Sequence, residues 1–212
     1  MKIKVCGMKN PENIEAILEF QPDFMGFIFY KQSKRYVDNE LDIAEIVSNN
    51  TKKVGVFVNS PISRVLEIVA KHKLDLVQLH GNESVDYLRD LSSEKVKIIK
   101  VFQISEHFNW SETLPFEEYS NYFLFDTATK NYGGSGLKFE WNQLKNYSGK
   151  LPFFLSGGIS LDDVESIKKL SIPLLYGVDI NSKFESSPGN KKTELVKTMI
   201  NLIQNESNIS SK

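Results

Sequence analysis

Short, nearly continuous apolar runs alternate with helix-patterned stretches along the whole chain. The runs fall at 2–6, 24–29, 53–58, 75–79, 96–102, 122–126, 152–156 and 174–179. Runs of this length without polar alternation predict strands covered on both faces. Between them, Ile62, Val65, Leu66 and Val69 keep the i, i+3, i+4, i+7 spacing of one buried helical face. Asn10-Pro11 and Ser60-Pro61 each read as a capping side chain before proline at the first helical position. Asn82 before Glu83, and Ser160 before Asp162 and Asp163, read as two further helix starts. A last helix is expected over about 190–204, with Leu195, Val196, Met199, Leu202 and Ile203 inward, and 205–212 as a frayed polar tail.

Strict alternation of strand and helix implies parallel strands joined by crossovers. Eight such units in 212 residues predict one compact (β/α)8 barrel over 1–204, with no second domain. An open doubly wound sheet fits less well: no G-x-G-x-x-G follows the first run, and eight strands exceed the usual five or six.

Composition narrows the function classes. A net charge of −1 (26 Lys and Arg, 27 Asp and Glu) gives no field to draw nucleic acid or an anionic membrane. An anionic ligand must therefore be held by a local site. A single cysteine excludes an internal disulfide and a cysteine-cluster metal site. No apolar stretch reads as a signal peptide or membrane span, so a cytoplasmic location is expected.

Active sites of this fold lie at the C-terminal ends of the strands. The predicted ends carry Cys6-Gly7, Tyr30, Asn59, His80-Gly81, Gln103, Asp126, Ser156-Gly157-Gly158 and Asp179. A lone cysteine is often a small buried hydrophobe. At a barrel mouth, Cys6 is also placed to be a base or nucleophile. Asp126 follows four apolar residues, where burial would raise its pKa toward that of a general acid, unless it is a structural ion partner. The loop behind it has glycines at 133, 134 and 136, suited to closing over a ligand or to plain connection. Gly157 and Gly158 open a helix, an arrangement that cradles oxyanions, and strand eight ends in GVDINS. Arg35 is one of only three arginines, which suggests a bidentate grip on a carboxylate as much as an ordinary surface charge. His80 reads equally as a satisfied strand-end histidine or a donor to ligand.

The segments KVCGMK (4–9), GFIFYKQSKRYV (26–37), VGVFVN (54–59), VQLHGNE (77–83), FDTATKNYGGSG (125–136), LSGGI (155–159) and GVDINSKFESSPGNKK (177–192) together resemble the phosphoribosylanthranilate isomerases, in order and spacing. The resemblance implies an Amadori rearrangement in tryptophan biosynthesis by acid–base catalysis. It assigns Cys6 as base, Asp126 as acid, Arg35 to the anthranilate carboxylate, and His80 and Asp179 to the substrate site. It places phosphate on Gly157, Gly158, Asn181 and Ser182. It implies no metal, no cofactor, and action as a monomer or homodimer. One departure is Lys183, where the family usually has a small residue.

Three other readings share the scaffold. A Schiff-base aldolase needs a lysine at the mouth, and Lys100 lies short of its strand end. A metal-dependent epimerase needs several converging ligands, and of three histidines only His80 fits. A non-catalytic phosphometabolite binder would have no use for a facing acid and base.

Overall fold

The computed structural model describes residues 1–38, 41–47, 50–127 and 141–204. The glycines at 133, 134 and 136 and the tail 205–212 lie outside the described residues. Eight parallel strands close into a barrel in chain order: β1 (Lys2–Cys6), β2 (Phe24–Ile28), β3 (Lys52–Phe57), β4 (Leu76–Leu79), β5 (Ile98–Ile104), β6 (Tyr122–Thr127), β7 (Phe153–Leu155) and β8 (Leu175–Ile180). Each predicted strand is present within two residues of its expected bounds. Closure pairs β8 with β1, setting Asp179 opposite Lys4.

The uninterrupted apolar runs serve two cores, because successive side chains point to opposite faces. Phe24, Val54, Leu76, Ile99, Leu124 and Phe154 fill the barrel's interior. Their chain neighbours, such as Met25, Val77, Phe123 and Phe153, pack outward against the surrounding helices. Phe24 meets Phe154 edge-on across the interior at 5.2 Å between ring centres. This apolar plug fills the lower barrel and leaves the polar strand ends at the other mouth.

The outer layer is α1 (Pro11–Leu18), α2 (Ile43–Ile46), α3 (Ile62–His72), α4 (Val85–Ser93), α5 (Val164–Lys168) and α6 (Thr193–Gln204). After β5 and β6 the described crossovers are 3-10 turns, Trp110–Tyr119 and Trp141–Asn146. The first contains Pro115, which has no N–H to donate to a regular helix.

Two helix starts agree with expectation and three differ. Asn10 caps α1 as predicted, accepting from Asn13 N at 3.1 Å. Pro61, by contrast, is the extended residue before α3, with ψ 142°, and Ser60 makes no cap. Asn82 does not open α4; Ser84 does, accepting from Tyr87 N, while Glu83 turns into the protein. Ser160 is the N-cap as predicted, here in a reciprocal pair with Asp163, and a 3-10 turn comes before the α-helix. The last helix starts at Thr193 because Asn190–Lys191 (β10) pairs with Glu185–Ser187 (β9) in a hairpin. Its buried face takes Ile200, whereas Leu202 is exposed.

Candidate active site

Period-two geometry decides which side chains reach the mouth. On β1, Lys4 and Cys6 share the inward face, and Gly26 on β2 stands opposite Cys6. A Cβ at Gly26 would lie 2.7 Å from Cys6 Sγ and 3.1 Å from Lys4 Nζ. Glycine is what admits both. Lys4 is fully buried, and its Nζ lies 2.9 Å from Asp179 Oδ1. Burial is the largest influence on Cys6 and pushes its thiol pKa up; Lys4 pulls it back down.

Asp126 stands at the end of β6, opposite Gln103 of β5. Burial, with Asp179 adding a like charge, pushes its carboxyl up to about 6. The Thr127 N–H, donating at 2.9 Å, works in the other direction and does not win. His80 follows β4. Burial first, then the cations Lys4 and Lys100, lower its pKa to about 4. Gln78 Nε2 stands 3.1 Å from His80 Nδ1. With the amide nitrogen donating, the ring proton sits on Nε2, which faces Asp126 Oδ2 at 3.6 Å.

Arg35 comes from the turn after β2 and meets Glu185 through one edge of its guanidinium. Nε lies 2.8 Å from Oε1 and Nη2 lies 2.6 Å from Oε2. Buried Lys191 extends the chain of contacts, donating to Glu185 Oε1 and to Asn181 Oδ1, both at 2.7 Å. Gly7, at φ +77°, lies where a side chain would strike Arg35 Cδ and Asn181 Oδ1. These residues form one polar cluster beside Cys6. Ser182 and Lys183 lie on the exposed side of the following 3-10 turn.

Gly157 and Gly158 have φ +98° and +66°, and a Cβ on Gly157 would collide with Thr127. The turn therefore brings main chain from β7 against the end of β6. Asp163 occupies the Ser160 N–H at 2.7 Å. An anion at this turn would depend on the glycine amides upstream of that cap.

Lys100 does not reach the mouth. Its neighbours Ile99 and Val101 face the barrel interior, so Lys100 faces the helices. There it pairs with buried Glu83 at 2.8 Å. Glu83 also accepts from Asn59 N and Gly81 N, tying the ends of β3 and β4 together. Among the described residues there is no group of three or more His, Cys, Asp or Glu placed to hold a metal ion. Among them also, no helix is long and apolar enough to cross a membrane.

Sequence reasoning missed Lys4, Glu185 and Lys191. Lys4 was legible: in KIKVC it shares the inward face with Cys6, and a lysine inside a barrel needs a partner. Glu185 and Lys191 carried no periodic signal, because their positions follow from a short hairpin.

Fold and site together define a (β/α)8-barrel protein whose mouth gathers a thiol, a carboxyl of raised pKa and a glycine-rich turn. The family model described as N-(5'phosphoribosyl)anthranilate (PRA) isomerase matches residues 3–202, and the chain belongs to this family. The N-(5'-phosphoribosyl)anthranilate isomerase of Parabacteroides distasonis is 41% identical over 206 residues, covering 96% of this chain and 93% of that protein. The crystal structure of phosphoribosyl anthranilate isomerase from Thermotoga maritima matches with a TM-score of 0.86 at 32% identity, covering 97% and 99%. A phosphoribosyl anthranilate isomerase in complex with reduced 1-(o-carboxyphenylamino)-1-deoxyribulose 5-phosphate matches at 0.83 and 29%, with the same coverage.

Proposed function

We propose that this chain isomerises N-(5'-phosphoribosyl)anthranilate to 1-(2-carboxyphenylamino)-1-deoxyribulose 5-phosphate, with Asp126 as general acid and Cys6 as general base. The observation that carries the reading is Asp126: a carboxyl held at about 6 on the same barrel mouth as the only thiol. A carboxyl with an ordinary pKa would be ionised near neutrality and have no proton to give.

In this reading Asp126 protonates the furanose ring oxygen. The C1–O bond then breaks as the anthranilate nitrogen pushes its pair toward C1, giving an open-chain protonated Schiff base. The Cys6 thiolate removes the proton from C2, and that C–H pair becomes the C1–C2 double bond of an enolamine. Protonation of C1, with loss of the proton from the C2 hydroxyl, then gives the ketone. Every electron stays within the substrate, so the chemistry calls for proton carriers rather than an external oxidant.

Arg35 holds the anthranilate carboxylate, and His80 and Asp179 border the sugar. Gly157, Gly158, Asn181 and Ser182 receive the phosphate. Every group named belongs to one chain, so the reading works for a monomer and for each half of a homodimer. Metabolism of this kind suits a cytoplasmic enzyme.

The test is incubation of the purified chain with freshly prepared N-(5'-phosphoribosyl)anthranilate, followed by fluorescence. Substrate consumption that is lost in both Cys6→Ala and Asp126→Asn is expected. Full turnover in either variant would remove that residue from its role, and no turnover by the parent chain would end the reading.

A further inference from the structure

Lys4 is the one inward-facing residue beside Cys6 on β1 to which the proposed reaction gives no task. It is buried completely, and a lysine there is costly unless its charge and its three N–H donors are used. Asp179 takes one donor at 2.9 Å, and the Cys6 sulfur lies close enough for the two charges to influence each other. Gly26 leaves a space that the ammonium and the sulfur both border. A lysine needed only for packing or for Asp179 would have no cause to share that space with the thiol.

We propose that Lys4 is a positioning residue that stabilises the Cys6 thiolate through an N–H···S contact, while Asp179 balances its charge whenever Cys6 is a thiol. The inference rests on Cys6 being the base. When the thiolate takes the C2 proton, an S–H bond forms and the ammonium keeps its own proton, relaxing onto Asp179. When Cys6 ionises again, Lys4 stands ready between two anions. The side chain thus follows the negative charge from sulfur to carboxylate without itself titrating.

The other charges around Cys6 are few. Lys191 on β10 favours the thiolate, Asp179 on β8 opposes it, and Arg35 in the turn after β2 is close enough to be influenced by the sulfur. Burial opposes ionisation more than any of them. Lys4 is the largest influence favouring the thiolate, and the two variants below should move the thiol in opposite directions.

Cys6 is the only cysteine of the chain, so its ionisation can be followed as the ultraviolet absorbance of the thiolate against pH. The Cys6→Ser protein, carrying the same tyrosines, serves as the blank. Lys4→Met should move the midpoint upward by about 1–3 pH units, the usual influence of a close opposite charge. Asp179→Asn should move it downward, because Lys4 then serves the sulfur alone. Lys4→Arg should restore most of the parent midpoint. An unchanged or lowered midpoint in folded Lys4→Met would overturn the proposal. Where Lys4→Met does not fold, a midpoint that fails to fall in Asp179→Asn overturns it instead. Failure of the base assignment shows separately, as turnover surviving in Cys6→Ala while the midpoints still move.

Discussion

His80 Nε2 stands 3.6 Å from Asp126 Oδ2, yet the two do not form an ion pair at neutral pH. An ion pair would raise the histidine and lower the carboxyl. Burial moves each the other way, to about 4 and about 6. The histidine is therefore neutral when the carboxyl gives up its proton, and it can serve only as a neutral donor or acceptor there. Nitrogen NMR of the imidazole should show one protonated and one bare ring nitrogen from pH 8 down to pH 5. A titration centred near 6.5 would show that Asp126 holds the ring as a cation.

The same two shifts set opposing dependences of stability on pH. Asp126 holds a proton in the folded chain between about pH 4 and 6 that the unfolded chain releases, so its contribution falls as pH rises through that window. His80 takes up a proton on unfolding between about 4 and 6.5, so its contribution falls as pH drops. Asp126→Asn removes the first and leaves the second. At pH 7 this variant should be more stable than the parent by about 1–2 kcal/mol, discounted for partial exposure, while losing about 10²–10⁴-fold in kcat. By pH 4 the gain should be gone, and stability should fall more steeply with acid than in the parent. Denaturant unfolding at both pH values reads this directly.

The guanidinium of Arg35 is spanned by Glu185 along its Nε–Nη2 edge, which leaves the Nη1 side for the carboxylate in the role proposed for it. Lysine can meet one carboxylate but not hold two in a fixed plane. Arg35→Lys should therefore behave nearly as badly as Arg35→Ala, with KM raised on the order of 10-fold or more and kcat changed less. Steady-state kinetics that show Arg35→Lys close to the parent would mean that charge alone suffices.

At Gly157 the backbone and the neighbour impose the same residue. Alanine would be held at a positive φ and driven into Thr127, a strain of about 1–3 kcal/mol. Gly157→Ala should lower the melting temperature, and the displaced amide should weaken inhibition by a phosphate ester competing with substrate. A variant with unchanged stability would show that the turn can shift at little cost.

How far the sequence reaches is clearest on β1 and around the last hairpin. KIKVC contains the strand, its inward face and the strand-end thiol, because two-residue alternation and an apolar neighbourhood are local properties. The barrel mouth and Asp126 follow from the same alternation on β6. What was not legible is the partner of each charge. Arg35 meets Glu185 only because β9 and β10 fold back beside the turn after β2, 150 residues away in sequence. Ser60 and Asn82 misled for a related reason: each is a good cap locally. At Asn82 the structure gives preference to the ion pair of Glu83 with Lys100, and the helix starts two residues later. The pKa directions depend on burial, and burial is set by elements far along the chain.

The contact between Lys4 and Asp179 joins residues 175 apart. During synthesis at about 5–20 residues per second, the first strand waits about 9–35 s for that aspartate to be made. Throughout that interval a strand otherwise ready to pair carries a cation with nowhere dry to go. Burying β1 without that partner would leave an unpaired cation in a dry interior, which is unfavourable. Full burial of the first strand is thereby tied to the arrival of the last, since the lysine's partner stands on the strand that closes the barrel.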